Sequence, residues 1–340
     1  MDGVHKSWMT EEQIVKAVVE NSTDYEARWS ADWDALLKYS SGDSPFKSIL
    51  DDFEYASPPY AYHVSKALTV SGQSHAKAMI SLFQKKDMDA FFKAYARSVC
   101  FEYWRSLIQS RVVAKTAPLS FANTIRILSD LVCLGWITEA EILLRQVAHD
   151  YKNSRYFDVN EEFSHPLYHW LFRICLDKWN IAFDSWGKSF YGEAVDVFRD
   201  GECLSVPELN SLFELWKAED LSTNSNTLIW LNDYYISRTV GSSLEFSNDL
   251  LHTRYPAVIL AWFRLRSELG LPLPNINHPL MKPDYARLAP AQAPYSDSVI
   301  DSVIKRLRDE ELSDLGIVRE EPFVSDLHVK KGWLAKLLKK

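Results

Sequence analysis

The sequence predicts an all-α protein, an irregular array of antiparallel helical hairpins, and three observations carry that expectation. Apolar residues recur at spacings of three and four along most of the chain, and helix-start residues stand just ahead of these runs. Glycine is scarce, at 11 of 340 residues, so sharp turns are few. No alternation long enough for a sheet is visible, and no repeat of fixed length points to a regular solenoid. A chain that is 47% hydrophobic with 12 tryptophans can fill one large core or two smaller ones.

The clearest pair of helices lies within 119–151. Phe121, Ile125, Leu128 and Val132 form one stripe, and Ala140, Leu143, Leu144, Val147 and Tyr151 form its partner. Ser120 is a good N-cap for the first helix, Thr138 with Glu141 reads as a capping box for the second, and Gly135 can supply the left-handed residue between them.

Before this pair, Thr10 with Gln13 opens a short helix, and Ser30 precedes a second in which Trp33, Leu36, Leu37 and Tyr39 pack inward. Turn chemistry at 41–45 and 57–59 follows. Ser74 is then placed to cap residues 75–85. From Asp87 to Ala114 neither glycine nor proline occurs, and Phe92, Tyr95, Val99, Tyr103 and Leu107 mark one face of a helix roughly 40 Å long.

Beyond the pair, Ser164-His165-Pro166 starts a helix that is apolar nearly all round and therefore buried. Ser205 with Glu208 reads as a capping box with Pro207 in the first turn, opening a helix to about Lys217. Helices are expected over 221–237 and 256–269, the latter ended by Gly270, with Ile259, Trp262, Phe263 and Arg266 alternating between core and surface. The segment 271–295 carries Pro272, Pro274, Pro279, Pro283, Pro290 and Pro294, so it is expected as an extended strap. Ser296 then caps a charged helix to Arg308. The organisation expected is a helical body over 1–270, with a subdivision near 115, a strap over 271–295 and a helical segment over 296–340.

A formal net charge of −8 argues against a nucleic-acid binder and favours a neutral or basic partner. Cys100, Cys133, Cys175 and Cys203 are widely separated and read as buried free thiols. The first residues lack the apolar core of a secretory signal, and no run approaches a membrane-spanning length. A cytoplasmic protein without stable membrane insertion is expected.

Motifs of chemistry are scarce, and no enzymatic activity is expected from them. Gly187-Lys188-Ser189 resembles the end of a phosphate-binding loop, but Ala182 stands where the loop needs glycine. His165 and His169 have the spacing of two metal ligands on one helix face, yet Pro166 occupies the place of the metalloprotease glutamate, so no metal and no cofactor are expected. Asp32 with Asp34, and Asp87 with Asp89, read as partners of helix N-terminal dipoles. Asp51, Asp52 and Glu54, and separately Glu161 and Glu162, are denser acidic groups and the candidate partner-binding residues. Asp309-Glu310-Glu311 is a third dense acidic group, and the plainer reading of all three is a solvated face. Trp333 to Lys340 has the pattern of a miniature membrane-surface helix too short to anchor alone, and docking of Trp333, Leu334 and Leu337 into the body is expected.

The segment Tyr255-Pro-Ala-Val-Ile-Leu-Ala-Trp-Phe-Arg-Leu-Arg-Ser-Glu-Leu-Gly270, followed by Asn277-His-Pro-Leu-Met281, resembles the C-terminal part of all-helical immunity proteins from bacterial polymorphic toxin systems. The resemblance implies a cytosolic antidote that binds a cognate toxin domain, and it assigns no functional residue. A helical adaptor bridging other proteins is the alternative, and an enzyme with a site assembled from scattered residues is the third reading.

Overall fold

A computed structural model describes residues 6–46, 56–57, 59–114, 119–158, 165–182, 198–199, 202–203, 206–240, 245–246 and 249–317. The fold is all-α. In chain order the helices are α1 (Glu11–Ser40), α2 (Pro59–Ala67), α3 (Ser71–Met79), α4 (Met88–Arg111), α5 (Phe121–Leu134) and α6 (Ile137–Lys152). They continue with α7 (Pro166–Lys178), α8 (Pro207–Glu214), α9 (Ser225–Arg238), α10 (Ala257–Glu268) and α11 (Ser298–Glu310). Among the described residues, β pairing is confined to two antiparallel pairs of two residues per strand, β1 (Ala56–Ser57) with β2 (Val113–Ala114) and β3 (Phe198–Arg199) with β4 (Glu202–Cys203), and a single parallel bridge between Leu119 and Tyr156. No helix of the described residues is long and apolar enough to cross a membrane.

Thr10 and Gln13 form the expected reciprocal capping box, but the helix they open does not stop before Ser30. It runs as one 30-residue element, because nothing between Glu20 and Ser30 breaks it. Asp32 and Asp34 consequently lie inside α1 rather than at an N-terminus. Only Ile14, Val18, Leu36 and Tyr39 are buried, near the two ends of α1, and Leu37 is exposed.

Residues 59–85 are helical without interruption: α2, a 3₁₀ turn over Leu68–Val70, α3, and a π-helical turn over Ile80–Lys85. Ser74 is thus a buried interior residue rather than a cap. Asp87 caps α4 through the Ala90 amide at 2.9 Å, with Asp89 in the first turn. Phe91, Tyr95, Val99, Tyr103 and Leu107 are buried on one face of α4, which packs against α2, α3, α5 and α6 and is the centre of this half of the molecule.

Ser120 caps α5 as expected, and Gly135 ends it with φ +83°. The Gly135 amide donates to Val132 and the Trp136 amide to Leu131, the paired bonds of a Schellman ending. Because Trp136 follows so closely, α6 begins at Ile137, and Thr138 lies inside the first turn without forming the expected capping box. A Cβ on Gly135 would lie 2.6 Å from Ala291 Cβ, so the proline-rich segment crosses directly over this corner. The Gln292 amide donates to the Leu134 carbonyl at 2.8 Å, and Trp136 Nε1 donates to the Gln292 carbonyl at 3.0 Å.

The second core layer is α7 and α10. From Pro166 to Leu176 every residue of α7 except Arg173 is buried, and Trp170 meets Trp262 of α10 edge-on at 5.6 Å. All of 257–266 is buried, so Arg266 does not alternate to the surface. Its guanidinium is satisfied internally by the carbonyls of Trp216 at 2.7 Å, Ala218 at 2.8 Å and Pro272 at 2.9 Å. A buried cation is tolerated when its donors are all occupied. Helix α8 starts at Pro207, directly after Val206, and stops at Glu214; Ser205 lies outside the described residues. Asp297, not Ser296, caps α11, because its carboxylate reaches the Val299 and Ile300 amides at 3.0 and 2.9 Å. Asp309 and Glu310 are exposed, although Glu310 accepts from Tyr39, while Glu311 is partly buried and accepts from the Tyr60 and Ala61 amides at the start of α2.

Candidate functional site

The helices converge on a polar cleft of about 360 Å³ between α3, α4, α5 and α7, over a buried cluster of charges. At its centre is Arg126 of α5. One turn further along α5, Asp130 lies 3.3 Å from Arg126 Nη1, and Asp249 lies 3.3 Å from the same nitrogen. Glu102 of α4 approaches Nη2 at 3.8 Å. A single guanidinium therefore faces three carboxylates from three parts of the chain.

Histidines complete the cluster. His252 Nε2 donates to Asp130 Oδ1 at 2.8 Å, and its Nδ1 lies 3.8 Å from Asp249. His75 of α3 reaches Asp249 Oδ1 at 3.2 Å from the cleft side. Tyr95 of α4 donates to Asp130 at 2.6 Å. Burial opposes charge on both partners, but the neighbours win: His252, His75 and Arg126 hold the Asp249 carboxyl well below the usual range. For the same reason Asp249 and Asp130 outweigh burial at His252 and raise its pKa. Asp249 also accepts from the Leu251 and His252 amides, which fixes the loop that carries it.

Two helix N-termini open on this cleft, and each is capped by a carboxylate from elsewhere in the chain. Asp158 accepts from the Phe121 and Ala122 amides of α5 at 2.6 and 3.1 Å. Glu245 accepts from the Leu167 and Tyr168 amides of α7 at 2.7 and 3.1 Å and pairs with Arg238 at 2.8 Å. Burial nevertheless pushes Glu245 up to about 7. Tyr168 lines the same cleft, and its buried hydroxyl has no hydrogen-bond partner among the described residues. A second cleft of about 350 Å³ shares Glu102, Ser120, Asn123, Arg126 and Phe157 with the first, so the two form one polar groove.

On its α3 side the groove meets α1. Gly72 lines the cleft, and a Cβ there would lie 2.9 Å from the Trp29 indole, so glycine is what lets α1 approach α3. Trp29 stacks on Tyr25 with ring centroids 6.0 Å apart. Around this pair Glu20, Asp24 and Glu26 are all exposed, and Glu11, Glu12, Glu20, Asp24, Glu26, Asp32 and Asp34 share residues 11–34 with only Lys16 and Arg28, while Glu11 also pairs with Lys86.

Asp51, Asp52, Glu54, Glu161 and Glu162, the acidic groups singled out from the sequence, lie outside the described residues, as do Gly187-Lys188-Ser189 and Trp333–Lys340. His165 and His169 are both buried. The His169 ring packs tilted against Phe121 at 4.5 Å, its Nδ1 lies 3.0 Å from the His165 carbonyl, and burial lowers its pKa to about 3. Among the described residues no three His, Cys, Asp or Glu side chains are grouped as metal ligands. Cys100, Cys133 and Cys175 are buried free thiols.

The Arg126 cluster was invisible in the sequence because its members lie at 75, 102, 126, 130, 249 and 252. One local signal exists: Arg126 and Asp130 stand four apart in a helix whose neighbours there, Ile125, Ile127, Leu128 and Leu131, are apolar. Compared with known proteins, the chain matches no family model, no curated protein and no solved structure.

Proposed function

We propose that this chain is a non-catalytic binding protein that neutralises a basic partner protein, an immunity protein of the kind that residues 255–281 resemble. The observation that supports this reading best is the middle of α1. Val19 and Tyr25 expose 49% and 48% of their surface there, among carboxylates that have few cations to balance them. Exposed aromatic anchors ringed by charge are the composition of protein-binding surfaces, and acidic charge accelerates encounter with a basic partner. The Arg126 cluster contributes rigidity: it ties α3, α4, α5 and the 249–252 loop together behind this surface. Glu102, Asp158, Glu245 and Asp249 each hold a partner within the body, which favours a binding scaffold over an enzyme.

The direct test is co-expression with the product of a toxin-like reading frame beside this gene. Survival of cells carrying both, and death of cells carrying the toxin alone, supports the proposal. Equal killing in both, with this chain folded and soluble, removes the immunity reading and leaves the adaptor.

A further inference from the structure

A third groove, of about 480 Å³, lies on a different face, between the end of α3 with its π-helical turn and the first turns of α4. Its floor is apolar, built by Ile80, Ala90 and Ala94, with the Tyr295 ring at one end. Its walls are cationic. Lys77 and Lys85 stand on one helical segment and Lys93 and Arg97 on the other, and no carboxylate of the described residues lines it.

On a chain with a net charge of −8, four cations around one groove are a local inversion of sign. Among the described residues no carboxylate comes within 4.0 Å of any of the four, although neighbouring Lys86 is paired with Glu11. Lys93 and Arg97 are one turn apart on the same face, a like-charge pairing that destabilises a helix unless something offsets it. Arg97 is held in place rather than free. Its guanidinium lies 5.0 Å over the Trp33 ring and 5.3 Å over Phe101, while its Nε is buried with no hydrogen-bond partner among the described residues. The π-helical turn widens the helix where the groove forms, and such turns recur at functional sites.

We infer that this groove binds a small organic polyanion, a molecule carrying at least two phosphate or carboxylate groups, with Arg97 and Lys93 on one side and Lys77 and Lys85 on the other. One phosphate would engage two of these cations and leave the rest repelling each other, so a ligand with separated charges fits the arrangement. The apolar floor lowers the local dielectric and strengthens each contact. The acidic remainder of the molecule disfavours a long nucleic acid in the same place.

The test is isothermal titration of the full chain with tripolyphosphate and, separately, with citrate, at about 20 mM and again at about 150 mM salt. Binding of one equivalent is expected, weakening with salt, and the stronger of the two probes identifies phosphate or carboxylate as the group recognised. The K93Q/R97Q variant should weaken binding at least about tenfold, and K85Q by a smaller factor, whereas K38Q/K282Q, with the same change in charge, should not. Melting curves establish that each variant is folded, and the exposed K85Q site carries the test if K93Q/R97Q is not. No binding of either probe at low salt, or equal weakening in the control variant, overturns the inference.

Discussion

His252 and Asp130 are 122 residues apart in the chain and meet at 2.8 Å with neither side chain reaching water. Their pairing joins α5 to the 249–252 loop, and Asp249 and Arg126 close the cluster around them. Removing one partner of a buried ion pair leaves the other uncompensated, which typically costs about 3–5 kcal/mol. His252→Ala is therefore expected to lower stability by about 3 kcal/mol or more, and His252→Gln, which keeps a donor, by less. Urea denaturation at neutral pH measures both.

Glu245 provides a pH-dependent signature. Its folded pKa, raised by burial to about 7, exceeds its unfolded value, so its contribution to stability is fully present below the unfolded value and is lost as pH rises toward about 7. Glu245→Gln removes that titration. The stability of the variant relative to the parent should improve as pH rises from about 4.5 to 7, by a few kcal/mol. A constant difference across this window, measured by denaturation at each pH, contradicts the assignment.

His169 titrates in the opposite sense. Its folded pKa of about 3 lies below its unfolded value, so the folded state loses stability as pH falls from about 6.5 toward 3. His169→Phe should flatten that acid limb, read from melting temperatures at pH 4 and 7.

Gly135 is constrained twice, by its positive φ and by Ala291 across from it. Gly135→Ala is expected to cost about 1–3 kcal/mol. The Gln292 amide, which bonds to Leu134, should then exchange its hydrogen faster, and that local readout separates a displaced strap from general loss of stability.

Local features of the fold were legible wherever a chemical signal was short-range. The Thr10–Gln13 box, the Asp87 and Ser120 caps, the left-handed Gly135 and the apolar circumference of α7 all follow from residues within one or two turns of each other. Errors arose where two local signals competed. Ser30, Ser74, Thr138 and Ser296 are good caps in isolation, but Ser30 and Ser74 fall inside longer helices, and Trp136 and Asp297 already occupy the cap positions beside the other two. Arg266 misled for a different reason: its partners are carbonyls at 216, 218 and 272, and no helical period reports them. The cleft depends wholly on such distant meetings, so no local pattern marks its charged residues.

The proposed binding surface is tested most directly by the association rate of this chain with any toxin-like domain encoded beside its gene, followed by stopped-flow fluorescence at low and high salt. A one-to-one complex is expected, whose association slows with salt and slows at least about tenfold in E20K/D24K/E26K, while E208K/E214K/E219K, an equal change of charge on and just after α8, has a smaller effect. Absence of a complex at micromolar concentration, or equal slowing in the two variants, would contradict a binding surface centred on Tyr25 and Trp29.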